Sequence, residues 1–234
     1  MKRSEINALM READAFIRSF GFVLPPFAYW SPAQLRRRVA ADSACIRNRM
    51  LGWDITDYGQ GRFAELGLLL FTLRNGRRED LPRGRGMLYA EKIMISRPGQ
   101  LCPMHRHRLK TEDIINRGGG TLVVELFRAA GEEGIDETSP VQVLRDGSLC
   151  RLPAGGRLRL APGESVTLGP DIWHAFRAEG SAVLIGEVST VNDDRTDNLF
   201  RDPVGRFAQI EEDEPPLHLL VADYPRWLEA ESGG

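Results

Sequence analysis

Lysine and histidine are scarce in this chain. Its 234 residues hold three lysines, Lys2, Lys92 and Lys110, in a Lys+Arg total of 31, and only four histidines. With 33 acidic residues the formal net charge is -2 and the pI is near 6.1, which leaves no electrostatic case for nucleic acid or another polyanion as a partner. The three cysteines, Cys45, Cys102 and Cys150, are widely spaced, form no CxxC pair and, being odd in number, make a poor disulfide framework. No apolar run approaches the roughly 18 residues of a membrane span. The N-terminal stretch MKRSEINALM lacks the apolar core of a signal peptide. Neither a signal peptide nor a membrane span is therefore expected. No glycine-rich dinucleotide signature is present either. The length suffices for one large core, or one core with arms.

Much of what is scarce is gathered in residues 99–119, GQLCPMHRHRLKTEDIINRGG. His105 and His107 stand one residue apart, and alternate residues of a strand point to the same face, so both imidazoles can converge on one point. A turn over 108–111 would return Glu112 to that point. Two imidazoles and a carboxylate suit Mn, Fe, Co, Ni or Zn. His174, in PDIWHAF just past a short strand-like run, is the best candidate for a fourth ligand. A single buried histidine is ordinarily a hydrogen-bonded core residue, and His218, among leucines after two prolines, reads that way. Cys102, three residues before His105, is expected to face the other side, either as core or as a group behind the ligands.

Along the chain, residues 4–20 read as an amphipathic helix capped by Ser4 and stopped by Gly21. FVLPPFAYW reads as an extended arm. Ser31-Pro32 opens a second helix, running to about 49, and residues 53–62 read as a polar connector. Residues 63–74 read as a strand before an Asn75-Gly76 turn. From 86 onward short strands alternate with Pro-Gly and Gly-Pro turns, the pattern of a sandwich or jelly roll. In the strand MLYAEKIMIS, the set Ala90, Lys92, Met94 and Ser96 is the expected cavity lining. The acidic run 211–214, EEDE, is expected to be a solvated face, and the final ESGG to be frayed. The expected fold is all-β, with an N-terminal helical and extended arm (1–62), a β-barrel (63–210) and a C-terminal extension (211–234) in one integrated domain.

The spacing of Gly99, His105, His107, Glu112 and Gly119 resembles the first cupin motif, and Gly163, Pro170 and His174 resemble an imperfect second one. That likeness implies a cupin jelly-roll barrel. A closer resemblance, carried by the N-terminal arm, MLYAEKIMI, PMHRHRLKTEDIINRGGG and GEVSTVNDDRTDN, is to the D-lyxose isomerase family. It implies a cytoplasmic homodimer that holds one divalent metal, typically Mn2+, and acts on a monosaccharide. The reaction implied interconverts D-lyxose and D-xylulose, and also D-mannose and D-fructose.

Aldose–ketose isomerisation moves a proton between C2 and C1 and requires a base near the metal. Glu187, in IGEVSTV, is the leading base, and Lys110, two residues before Glu112, is expected to assist it. Lys92, Asp193, Asp194 and Arg195 are candidates to bind sugar hydroxyls. Two other readings stay open: a non-catalytic sugar-binding cupin, which needs no proton-transfer residue, and an iron-dependent cupin dioxygenase.

Overall fold

The computed structural model describes residues 1–193 and 196–228. The expected sugar-binding residues Asp194 and Arg195, and the C-terminal ESGG, lie outside the described residues. Three helices precede the first strand: α1 (Arg3–Ser19), α2 (Pro32–Ala41) and α3 (Ala44–Asn48). The strands follow as β1 (Gly52–Thr56), β2 (Leu68–Asn75), β3 (Tyr89–Ser96), β4 (Cys102–His107), β5 (Glu112–Ala130) and β6 (Gly134–Asp136). Then come β7 (Val141–Arg145), β8 (Ser148–Leu152), β9 (Gly156–Leu160), β10 (Ser165–Leu168), β11 (Ile172–Thr190) and β12 (Asn198–Phe200), and a short helix α4 (Tyr224–Leu228).

Two strands of 19 residues, β5 and β11, organise the molecule. They pair antiparallel along nearly their whole length, but each changes neighbours halfway. The first half of β5 and the second half of β11 lie in a layer ordered β1-β2-β3-β11-β5-β10-β7-β8. The remaining halves lie in a second layer, with β4 and β12 beyond β11 and β9 beyond β5. The change of layer falls at a register shift between Glu179 and Val183 of β11, opposite Asn116–Gly120. The buried Asn116 amide donates to the carbonyls of Gly120 and Leu160 there, each at 2.9 Å. Gly119, the closing glycine of the motif, has φ +97° at this bend, and a Cβ on it would overlap the Ala182 carbonyl. Apolar side chains of both layers meet between them, among them Leu70, Met94, Ile114, Val124, Leu158 and Phe176.

This is a strand-dominated mixed α/β fold rather than the closed all-β barrel expected. Hydrogen bonding runs along an open path that ends at β1 and β8. The outer face of the β1 end is apolar as well as the inner one. Trp53, Ile55, Leu69, Phe71, Ile93 and Ile95 are buried against Ile6, Met10, Ala13 and Ile17 of α1. Helix packing, not strand closure, therefore finishes this side.

The helices differ in detail from the sequence expectation. Helix α1 starts one residue early, with the Lys2 N–H donating to Glu5. Ser4 is not the cap; its amide and hydroxyl donate to Asp213 at 2.9 and 2.6 Å. The acidic run 211–214 is exposed, as expected, but carboxylates within it are paired. Glu212 accepts from Arg3, Asp213 from Ser4 and Glu214 from Asn7, so these carboxylates gather at the positive end of the α1 dipole. Arg3 is fully buried and also forks onto Asp223 at 2.8 and 2.9 Å. The second predicted helix is split into α2 and α3 at 42–43; Ser31 caps α2, accepting from the Gln34 N–H at 3.3 Å. The expected connector at 53–62 begins as strand β1.

Candidate active site

Strand β4 carries the HxH pair beside β11, where His174 stands opposite His105. On its other side β12 pairs with it, placing Asn198 opposite His107 and Phe200 opposite His105. Glu112 opens β5. Across the layer, Lys92 of β3 stands opposite Glu187 of β11, and Ser189, two residues on, stands opposite Glu112. Lysine 92 thus falls on the inner face, as the alternation of its strand predicts.

The imidazoles of His105, His107 and His174 place ligand nitrogens within 4.8 Å of one another. Glu112 Oε1 lies 3.0 Å from His174 Nε2 and 3.2 Å from His107 Nε2. His105 Nδ1 donates to the Pro103 carbonyl at 2.8 Å and His174 Nδ1 to the Ile172 carbonyl at 3.3 Å. A carbonyl only accepts, so each Nδ1 carries the proton and each Nε2 presents a lone pair to the centre. Nε2 of His107 and of His174, and Oε1 of Glu112, are buried without a hydrogen-bond partner. Buried polar atoms are normally satisfied. Convergent lone pairs left open in this way fit a divalent metal ion.

Electrostatics agrees with that donor set. Burial, then the neighbouring His174 and His107, holds His105 well below the ordinary imidazole range. Burial and Lys110 lower His107. Burial alone would raise Glu112, but Lys110 beside it holds its carboxyl well below the usual range. Neutral imidazoles and an ionised carboxylate are the forms that bind metal.

Lys110 arrives from the turn between β4 and β5. Its Nζ lies 2.7 Å from Glu112 Oε2 and 2.9 Å from Glu187 Oε1. Lys92 Nζ is 3.5 Å from the same Glu187 oxygen and 2.8 Å from Asn192 Oδ1. Two lysines and two carboxylates thus form a charge-balanced buried group beside the histidines. Asp193 lies apart from it, 3.8 Å from Arg78, on a wide outer cavity of about 960 Å³. The inner chamber is about 40 Å³; both cavities have Arg206 in their walls.

Several lining residues carried no signal in the sequence. Tyr58, Asn198, Phe200 and Arg206 wall the chamber with the expected residues. Tyr58 belongs to the stretch 53–62 that reads from sequence as a polar connector. Cys102 faces the chamber, contrary to its expected direction. His174 and Phe176 of β11 stand opposite His105 and Cys102 of β4, so β4 holds one extra residue there, a bulge at Pro103–Met104. The Cys102 thiol lies 3.3 Å from the Tyr58 hydroxyl and is pushed up to about 12 by burial. His218 is structural, with Nδ1 donating to the Trp30 carbonyl at 3.0 Å.

Fold and site together define a cupin-like protein with a histidine cluster compatible with a divalent metal. The fold is shared with an L-ribose isomerase of Acinetobacter sp. DL28 solved with L-ribose. That chain is 19% identical with a TM-score of 0.58, over 90% of this chain and 98% of that one. The D-lyxose isomerase family model matches residues 1–224, and the chain belongs to that family. It is 49% identical to a D-lyxose/D-mannose isomerase of Serratia proteamaculans, over 97% of this chain and 100% of that protein. It is 46% identical to a D-lyxose/D-mannose isomerase of Escherichia coli O157:H7, over 96% and 98%. The protein is a metal-binding aldose–ketose isomerase of the D-lyxose type. The non-catalytic module and the iron dioxygenase are set aside by this membership. No helix among the described residues is long and apolar enough to cross a membrane.

Proposed function

We propose that this chain interconverts D-lyxose and D-xylulose, and also D-mannose and D-fructose, with one Mn2+ held by His105, His107, Glu112 and His174. The second sugar pair is suggested by the names of the relatives from Serratia and Escherichia. The observation that carries the mechanism is Lys110, within 3 Å of both a proposed ligand, Glu112, and the proposed base, Glu187. When bound, a divalent metal supplies Lewis-acid stabilisation of the charge that develops on the sugar oxygens during isomerisation. Glu187 takes the proton from C2 of the aldose and returns it at C1 of the ketose. Lys110 donates to the oxygen on which charge develops, and its contact with Glu187 keeps that carboxylate turned toward the chamber. Lys92, tied to Asn192, holds a hydroxyl. Asp193 meets the sugar on the side of the outer cavity, and Asp194 and Arg195 remain candidate binders of sugar hydroxyls.

The arm 1–62, the strands within 63–210 and the extension 211–234 act as one integrated domain with a cupin-type arrangement of its two layers. The protein works in the cytoplasm as a homodimer. Support for the dimer comes from Leu144, Leu149 and Val188, apolar side chains left exposed on strands. Sedimentation at micromolar concentration tests it, and a monomer mass sinks it.

The activity test is an assay of Mn2+-loaded protein against a panel of aldoses in deuterated water. Ketose should form from D-lyxose with solvent deuterium at C1. No ketose from any aldose at full metal occupancy removes this function.

A further inference from the structure

His105 and His174 each have a backbone carbonyl behind the ring, and His107 does not. Its Nδ1 is buried and makes no hydrogen bond. The carboxylate of Asp197 faces that nitrogen, with Oδ2 at 3.7 Å. Glu112 and Lys110 are the other charged groups acting on the same ring. Asp197 is itself buried and directly precedes β12, the strand that pairs with the HxH strand.

The same carboxylate accepts the backbone N–H of Leu109 at 2.9 Å and of Lys110 at 3.1 Å. The Asp197 carbonyl accepts the N–H of Arg108 at 2.9 Å. Three successive amides of the turn between His107 and Glu112 are therefore held by one residue. An aspartate that satisfies turn amides is common; Asp136 does so for Thr138 and Ser139. Asp197 differs because its turn leads from a proposed metal ligand to the lysine that bridges the two glutamates.

We infer that Asp197 is a positioning residue that couples metal binding at His107 to the placement of Lys110. The inference rests on the proposed ligation by His107. At 3.7 Å the Asp197 carboxylate makes no hydrogen bond to Nδ1, but its negative charge favours a proton on that nitrogen, which leaves Nε2 as the lone pair facing Glu112. The same oxygens set the path of the turn, and with it the reach of the Lys110 stem into the chamber. Asparagine at this position has a single acceptor oxygen in place of two. It cannot offer each of the two amides its own oxygen, and it brings no negative charge to the imidazole.

The test compares Asp197→Asn, Asp197→Ala and the remote turn variant Asp136→Ala with the unsubstituted protein. Mn2+ is titrated calorimetrically into each metal-free protein, and kcat and KM for D-lyxose are measured at saturating Mn2+. Asp197→Asn should lose about 10- to 100-fold in Mn2+ affinity, the usual scale for a group behind a ligand. Its kcat at saturating Mn2+ should also fall, with KM changed far less. Asp136→Ala should bind Mn2+ normally, even if it melts earlier. Unchanged Mn2+ affinity in Asp197→Asn overturns the inference alone. No Mn2+ uptake by the unsubstituted protein overturns the proposed ligation and the inference with it. Should the Asp197 variants fail to fold, nitrogen NMR of the unsubstituted metal-free protein decides. His107 should carry its proton on Nδ1, and a proton on Nε2 overturns the inference.

Discussion

Lys110 Nζ and Glu187 Oε1 lie 2.9 Å apart, with both side chains almost wholly buried. Two strands and a turn distant in sequence bring them together, and Lys92 approaches the same oxygen from β3. Both ammonium groups hold the Glu187 carboxylate beside the histidine cluster, where its proposed role requires it. Ser189 adds a hydroxyl donor to that oxygen at 3.2 Å.

Replacing Glu187 by glutamine keeps the shape and the hydrogen-bonding oxygen but removes the proton acceptor. We expect kcat for D-lyxose to fall by about a hundredfold or more. Mn2+ stoichiometry should remain one per chain, because Glu187 is not among the proposed ligands. Steady-state kinetics and metal analysis of the same preparation check both. A fully active variant strips Glu187 of its role and leaves the isomerase intact.

Arg3 offers a stability prediction remote from the chemistry. Its guanidinium is fully buried and serves Glu212 and Asp223 at once. Arg3→Met would leave those carboxylates facing an apolar stem. The expected loss is about 3–5 kcal/mol, the range for breaking a buried ion pair by removing one partner. Lysine should recover only part, since it lacks the planar fork. Urea unfolding of the metal-free proteins measures this, and a loss below about 1 kcal/mol, typical of exposed pairs, would contradict it.

These residues show what could be read from the chain beforehand. The HxH pair and Lys92 were legible because strand alternation alone decides which face each takes. Glu112 was legible through its spacing from the pair, and Glu187 through its place on the strand after His174. Asp197, Phe200 and Arg206 were not, since only β12 pairing with β4 brings that segment to the chamber. Cys102 was misdirected by one extra residue in β4, which period-two reasoning cannot foresee. The pairing within the exposed acidic run was not legible because its partners, Arg3, Ser4 and Asn7, lie some two hundred positions away. The open ends at β1 and β8 depend on which strands pair, and composition is silent on that.

Acid should weaken the metal-free protein. His105 and His107 are held below their ordinary value of 6.5 in the fold. As pH falls below 6.5 the unfolded chain binds protons that the folded one refuses, so stability is lost. Glu112 is held below its ordinary value of 4.5, so its contribution is present above 4.5 and is lost as pH falls further. Both act in the same direction. The melting temperature of metal-free protein should drop steadily from pH 7.5 to pH 4, and Mn2+ should dissociate over the same range. A melting temperature that is flat or rises toward acid contradicts the assignment.

Phe200 is expected to set the balance between pentose and hexose. Its ring lies 5.7 Å from that of His105 and 5.6 Å from that of Tyr58, both centroid to centroid. It therefore forms wall at the histidine end of the inner chamber. D-mannose carries one more carbon than D-lyxose, and that carbon must be accommodated within the same wall. Phe200→Ala removes a ring from the wall without touching Glu187 or Lys110. Loss of packing on His105 will weaken metal binding for either sugar, so absolute rates are a poor guide. The ratio of kcat/KM for D-mannose to that for D-lyxose cancels this common effect. One added carbon group in a pocket is worth about 1–3 kcal/mol of discrimination, so the ratio should rise by about tenfold or more. A ratio unchanged within about twofold at saturating Mn2+ would place the selectivity elsewhere, with Arg206 and the outer cavity next in line.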